Sequence, residues 1–234
     1  MSLLIRSLLC FILAISFNST INAQGGRIPV PAKNGMVVSS HYLASEVGRD
    51  ILAQEGSAVD ASVATAFTLA VTLPSAGNIG GGGFIVYHGS NGETTTFNFR
   101  EKAPLAATRE MYLDKNGKVK DNSNHDGILA VGVPGTVAGL YKAHEKYGKL
   151  EWSKLVQPAI DLAEKGFVIS PVIAEFSNWL LENKAEYSST AKVFLHKDGT
   201  AFKAGDTLFQ KDLAETLKRI RDKGPDGFYK GNTA

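Results

Sequence analysis

Between Ser57 and Gly83 the chain reads SAVDASVATAFTLAVTLPSAGNIGGGG. Ser57-x-x-Asp60 is a helix-start pattern. The thirteen residues that follow, Ala61 to Leu73, are apolar or small nearly all round. A helix with no polar face is a buried helix, so the rest of the chain has to supply its cover. Pro74 sets the helix end, because the residue before a proline is driven out of the helical region. Four consecutive glycines, Gly80 to Gly83, then precede an apolar run. Glycine costs more backbone entropy on folding than any other residue, so a run of four implies that something requires it.

With 234 residues, 44% hydrophobic and 21% charged, the composition is that of a globular chain with a real core. The 25 basic and 23 acidic residues nearly cancel. That balance gives no electrostatic case for nucleic acid or an anionic membrane as partner. The first stretch differs in kind: Arg6, an apolar run from Leu8 to Phe17, then small and polar residues, with Ile21-Asn22-Ala23 before Gln24. This is the layout of a secretory signal peptide over 1–23, and it predicts a periplasmic or secreted protein with no membrane attachment once the signal is removed. The apolar run is about half of the roughly 20 residues that a membrane span needs. Cys10, the single cysteine, lies inside the signal. The mature chain, 24–234, is therefore expected to have no disulfide, no thiol nucleophile and no thiolate metal site.

Along the mature chain, Gly25, Gly26, Pro29 and Pro31 mark an extended lead-in. GMVVSS, 35–40, is a short strand candidate. Leu43, Val47, Ile51 and Leu52 predict a helix over 41–54, with Ser40 as cap and Gly56 as stop. Phe84–His88 and Thr94–Phe99 flank Asn91-Gly92, a strong hairpin signal. This hairpin is expected to lie over the buried helix. Residues 115–126 are polar and read as an exposed loop. Further helices are predicted over 135–147, over 152–165 with Pro158 as a kink or break, from Ser170-Pro171 onward, and over 208–223 with a basic C-terminal end stopped by Gly224-Pro225. Residues 194–202 read as a small hairpin around Asp198-Gly199. The mixture predicts an α+β fold.

The glycines fail both phosphate-binding templates. A dinucleotide fingerprint runs strand, glycines, helix, whereas here the order is helix, glycines, strand, with Ile85 in the place of the last glycine. A Walker loop has lysine where Gly83 stands. Close backbone approach, or a bulged start to a buried strand, remains. In FNFREKAP, Phe97–Pro104, Arg100 ends a strand. An arginine there can fork two hydrogen bonds onto a carboxylate, but periodicity alone favours a surface arginine, or one paired with Glu101 or another acid. None of the five histidines, His41, His88, His125, His144 and His196, forms a close metal-binding pair, so no metal site is expected. Asp60 reads as a helix-start acid rather than a general base. Trp152 and Trp179 read as packing residues.

Five blocks together carry a family resemblance: LASEVGRDILAQEGSAVDASVATAFTLAVTLPSAGNIGGGGF, FNFREKAP, VGVPGTVAGL, LVQPAIDLAEKGF and KGPDGFYKG. In this order and spacing, from about Met36 to Asn232, the chain resembles the γ-glutamyltranspeptidases (glutathione hydrolases). The resemblance implies part of a four-layer αββα N-terminal-nucleophile (Ntn) hydrolase fold, incomplete in this chain. It implies an exported precursor that cuts itself into large and small subunits, and transfer of the γ-glutamyl group of glutathione to water, an amino acid or a peptide, without cofactor. The small subunit's N-terminal threonine is the nucleophile, with its own α-amine as base. By the same resemblance Arg100 holds the glutamyl α-carboxylate. The threonine and the other functional residues have no counterpart in these 234 residues, which match the N-terminal part of the large subunit, so no catalytic residue is assigned and the chain alone is expected to be inactive. Two other expectations stand beside this one: a non-catalytic truncated product, and a related amidase of the cephalosporin-acylase type.

Overall fold

The structure, a computed structural model, describes residues 29–234. The signal-peptide expectation for 1–23, Cys10 included, lies outside the described residues. The folded unit spans Met36–Ala234. Its elements are α1 (Tyr42–Ala53), α2 (Ala58–Thr72), β1 (Phe84–His88), β2 (Thr94–Asn98), α3 (Thr136–Tyr147), α4 (Trp152–Lys165), β3 (Phe167–Val168), α5 (Pro171–Glu182), α6 (Ser188–Phe194), β4 (Thr207–Leu208), α7 (Lys211–Lys223) and α8 (Asp226–Tyr229). The α+β expectation holds.

Helix α2 sits at the centre, as its all-round apolar sequence requires. Helices α1, α3 and α4 pack on it, and α7 closes over α4. Phe67, Val63 and Val71 of α2 meet Ile51, Leu155, Ile160, Leu217 and Ile220 in one continuous core. Phe67 meets Trp152 edge-on at 5.4 Å, and the Trp152 indole N–H donates to the Ile220 carbonyl at 2.9 Å. Trp152 is thus a packing residue with its one polar atom satisfied. Helix α4 runs through Pro158 without a break. Leu155, Val156 and Ile160 are each fully buried, at about 1.5–3 kcal/mol apiece, and together outweigh the roughly 3 kcal/mol that an interior proline costs.

The start of α2 carries the most buried charge in the unit. Asp60 is wholly inaccessible. Its Oδ2 accepts the Ser57 N–H at 2.8 Å while Ser57 Oγ accepts the Asp60 N–H at 3.1 Å, a complete capping box. The same carboxylate accepts the Lys149 N–H at 2.9 Å and the Leu150 N–H at 3.2 Å, from the loop between α3 and α4. His144 lies 3.7 Å from Oδ1 and is held by the Leu150 carbonyl at 2.8 Å. The helix-start reading of Asp60 is borne out, and the residue does more than its sequence position showed: it joins α2 to the α3–α4 loop.

Strands β1 and β2 pair antiparallel from Phe84↔Asn98 to His88↔Thr94, and Gly92 takes the left-handed conformation (φ +83°) that the tight turn needs. Phe99 extends the pairing irregularly through two backbone bonds to Gly83, at 3.0 and 3.4 Å. Ile85, Tyr87 and Phe97 face inward, whereas Phe84 and Val86 are exposed. Tyr87 stacks on Tyr147 of α3 at 4.1 Å, and Phe97 meets the same ring edge-on at 6.0 Å. The hairpin therefore seats mainly on α3, where the sequence had placed it over α2, because the aromatic partner of its inner face stands on α3.

Other expectations shift locally. Among the described residues GMVVSS forms no ladder. The cap of α1 is His41, whose Nδ1 accepts the Leu43 N–H at 3.3 Å, rather than Ser40. The hairpin over 194–202 shrinks to a Leu195↔Ala201 bridge about a turn at Gly199, because Phe194 completes α6. Leu208 belongs to β4, paired with β3, and α7 starts at Lys211.

Two tests follow from these anchors. Asp60→Asn puts an amide N–H₂ against backbone donors and should lower the urea-unfolding free energy by about 2–3 kcal/mol; an unchanged midpoint would refute the anchoring role. The second concerns His41, which is buried with Nδ1 accepting and Nε2 unpartnered. Burial lowers its pKa from the ordinary imidazole value. A depressed folded-state pKa gives stability that is present above the unfolded-state value and lost as pH falls. The melting temperature should therefore drop between about pH 7 and pH 5, and His41→Asn, which keeps a capping acceptor, should flatten that slope. An identical slope in the variant would exclude His41 as its source.

Candidate functional site

The glycine run forms a seam. Helix α2 ends at Thr72 with Leu73 as its C-cap, and the chain turns through Pro74–Gly77 to Asn78. Asn78 Oδ1 accepts the Gly81 N–H at 2.8 Å and the Thr136 hydroxyl at 2.7 Å. The Gly81 carbonyl accepts the N–H groups of Gly135 and Thr136, at 2.7 and 3.1 Å, so the glycine loop caps the start of α3. At Gly82 a Cβ would stand 2.5 Å from the Phe99 carbonyl oxygen and 2.8 Å from the Arg100 Cα. At Gly135 it would stand 2.0 Å from the same oxygen. The segment that delivers Arg100 is thus held between two side-chain-free stretches of backbone. At Gly80, by contrast, a Cβ meets nothing within 4 Å.

Beyond this seam the chain continues as a short antiparallel bridge, Lys102 N–H to Val133 carbonyl at 3.2 Å and Val133 N–H to Lys102 carbonyl at 2.7 Å. Arg100 stands between seam and bridge. Its side chain is 62% exposed, Nε lies 3.0 Å from Glu101 Oε2, and its guanidinium carbon sits 6.0 Å from the centre of the Phe84 ring. No protein hydrogen bond engages Nη1 or Nη2 among the described residues. This exposed pairing with Glu101 is among the arrangements that periodicity favoured. It leaves the two terminal nitrogens, the edge that forks onto a carboxylate, open.

Arg100 and Lys102 line two cavities in common. One, of about 420 Å³, is largely apolar, with Phe99, Val133, Pro134, Ala138 and Tyr229 among its walls together with Lys142. The other, of about 460 Å³, is more polar and is bounded by Gly80, Glu101, Tyr112 and residues 130–132. Tyr229 donates to the Pro134 carbonyl at 2.8 Å and accepts the Ala138 N–H at 3.3 Å. Burial pushes its phenol above the ordinary tyrosine range, so it stays a neutral donor. Sequence reading missed both Asn78 and Tyr229. The Asn-x-x-Gly spacing at Asn78 carries a weak turn signal; Tyr229 acts across 95 residues and carries none.

The histidines do not converge. His88 is exposed and shares a 2.8 Å hydrogen bond with Thr94 Oγ1, and His196 pairs with Asp206 at 3.2 Å. Among the described residues no three His, Cys, Asp or Glu side chains gather as a metal-binding group.

Comparison with known proteins identifies the family of the chain. The family model for gamma-glutamyltranspeptidase matches residues 44–234. The chain is 49% identical over 208 residues to a glutathione hydrolase proenzyme of Pseudomonas sp. (strain A14), covering 88% of this chain and 36% of that one. It superposes on the crystal structure of Helicobacter pylori gamma-glutamyltranspeptidase with a TM-score of 0.84 and 49% identity, over 88% of this chain and 59% of that one. A cephalosporin acylase from Bacillus halodurans matches with a TM-score of 0.70 and 25% identity, over 87% and 40%. The α+β unit around α2 is thus part of an Ntn-hydrolase fold. Within that class, the chain belongs to the γ-glutamyltranspeptidase family. It spans about a third of the length of the curated relatives it matches.

Gly82→Ala should destabilise the unit by about 1–3 kcal/mol through overpacking against the Phe99–Arg100 backbone, whereas Gly80→Ala should be nearly neutral. Equal effects in urea unfolding would rule out the seam.

Proposed function

We propose that this unit forms the carboxylate-binding side of an enzyme that transfers or hydrolyses γ-glutamyl groups, with glutathione as donor. The observation that carries the reading is the open Nη edge of Arg100, a residue whose backbone is held by the glycine seam and which lines cavity space on both sides. A γ-glutamyl donor presents a free α-carboxylate, and a guanidinium fork is the side chain best matched to it. Holding that end of the substrate would orient the γ-amide for attack. No group in the unit is arranged as an activated nucleophile. The reading therefore assigns attack to a threonine in a separate, nucleophile-bearing part, as in the precursor that the family resemblance implies. Export to the periplasm or beyond, by the signal-like segment 1–23, belongs to the same proposal, as does self-cleavage of a zymogen. The acylase neighbour supports a second reading, an amidase acting on another acyl group. The open arginine favours an acyl group that bears a carboxylate.

In a full-length chain carrying this unit, Arg100→Ala should raise the donor KM about 100-fold, the worth of a two-pronged charged contact of about 2.7 kcal/mol. Arg100→Lys should recover only part of it. The purified 234-residue chain should hydrolyse glutathione no faster than buffer. Unchanged donor KM in both variants would remove Arg100 from the site.

A further inference from the structure

A second cavity system lies between α6 and the start of α7. It measures about 780 Å³, is larger than either cavity beside Arg100 and shares no residue with them. Three of its lining residues, Lys192, Lys197 and Lys211, form no ion pair among the described residues. Of the two acids on its walls, Glu164 is taken up by Lys218, whereas Asp212 has no cationic partner. Phe194, Val193 and Phe209 supply an apolar side, and Phe209 is 51% exposed, an unusual cost for a phenylalanine. Helix α7 opens onto the same space. Its N-cap residue, Gln210, makes no side-chain bond to the first turn. Among the described residues the N–H groups of Lys211, Asp212 and Leu213 have no partner, and the first pairing is Ala214 N–H to the Gln210 carbonyl at 2.9 Å. Such orphan donors concentrate the positive end of a helix.

Gln210 adds an independent feature. It lines the cavity although it is only 6% exposed. Its Nε2 donates to the Val71 carbonyl at 2.7 Å, and since a carbonyl accepts only from the N–H₂, the amide is fixed one way round. Its Oε1 accepts nothing among the described residues, yet it is not sealed from solvent, for the one buried side-chain atom without a partner is His41 Nε2. The wall thus offers donors and positive charge, one fixed acceptor, and an aromatic face. We propose that this cavity binds the C-terminal residue of an apolar peptide. The α-carboxylate meets the free N–H groups of α7 and the lysines, the residue's own amide N–H donates to Gln210 Oε1, and its side chain lies against Phe194 and Phe209. Capture of a terminal carboxylate by open backbone N–H groups is a recurring recognition mode. A free amino acid fits worse, because its ammonium would stand among three lysines. A bare phosphate leaves the aromatic face and Oε1 unused. The site goes beyond the γ-glutamyl reading and does not depend on it.

The ¹⁵N-labelled 234-residue chain would be titrated with the tripeptide Ala-Ala-Phe and followed by NMR. The backbone amides of Lys211, Asp212 and Leu213 and the side-chain amide of Gln210 should shift saturably. The C-terminal amide of the tripeptide, which lacks the charge, should bind at least about tenfold more weakly. An analogue with an ester oxygen in place of the terminal residue's N–H should also bind about tenfold more weakly, because Oε1 then meets no donor. Lys192→Gln with Lys197→Gln should weaken binding about tenfold, and Asp212→Asn should tighten it severalfold. Equal affinity for acid, amide and ester would overturn the proposal, and that series needs no variant to fold. Inorganic phosphate binding as tightly as the tripeptide would overturn it too, leaving a plain anion site. So would shifts centred on Phe99–Glu101, which would place the peptide on Arg100 instead.

Discussion

One buried carboxylate organises this unit. Asp60 has no access to water, and a charge so placed has to be met by donors on every side. Three backbone N–H groups meet it: one from its own helix start and two from a loop 89 and 90 residues further along. Hydrogen bonds to an ionised acceptor are the stronger kind, and here they come from backbone, which cannot swing away. The loop they capture joins α3 to α4, so the same contact sets both helices against α2. Helix α3 in turn presents Tyr147 to the hairpin and its first turn to the glycine loop. The placement of Arg100 thus descends in steps from a residue far from the cavity it serves.

Much of this was legible in advance, and the reason differs by element. Helix α2 could be read because its pattern admits no other environment, and the β1–β2 hairpin because Asn91-Gly92 leaves few alternative turns. Helix α4 could be read in its span, but Pro158 read as a kink or break; its continuity depended on Leu155, Val156 and Ile160 finding partners. What stayed hidden was tertiary choice. Nothing local makes Tyr147, rather than α2, the seat of the hairpin, and nothing near Tyr229 announces its bond to Pro134. GMVVSS is the instructive case: its pattern is that of a strand, its exposure alternates like a strand, and only the pairing is missing.

The site shows the same division. Arg100 stood out through the family resemblance of FREKAP, while periodicity pointed to a surface arginine, or one paired with Glu101 or another acid. The structure shows that pairing and, beside it, terminal nitrogens left open. Element order alone argued against a phosphate-binding role for the glycines, and the structure keeps that order of helix, glycines and strand. That they grip the Phe99–Glu101 backbone needed coordinates, since the partner segments, Gly82 and Gly135, are 53 residues apart.

The seam has a consequence for how firmly a ligand can be met. A contact between two stretches of main chain has no rotamers, so it admits no repacking and no gradual drift. The root of Arg100 is located to within the small play of backbone torsions, and whatever freedom remains belongs to its own side chain. Entropy that would otherwise be lost when a ligand arrives has already been surrendered in folding, at the glycines. An anchor built this way favours reproducible placement over adaptability. That rigidity is what the proposed carboxylate-binding role would call for.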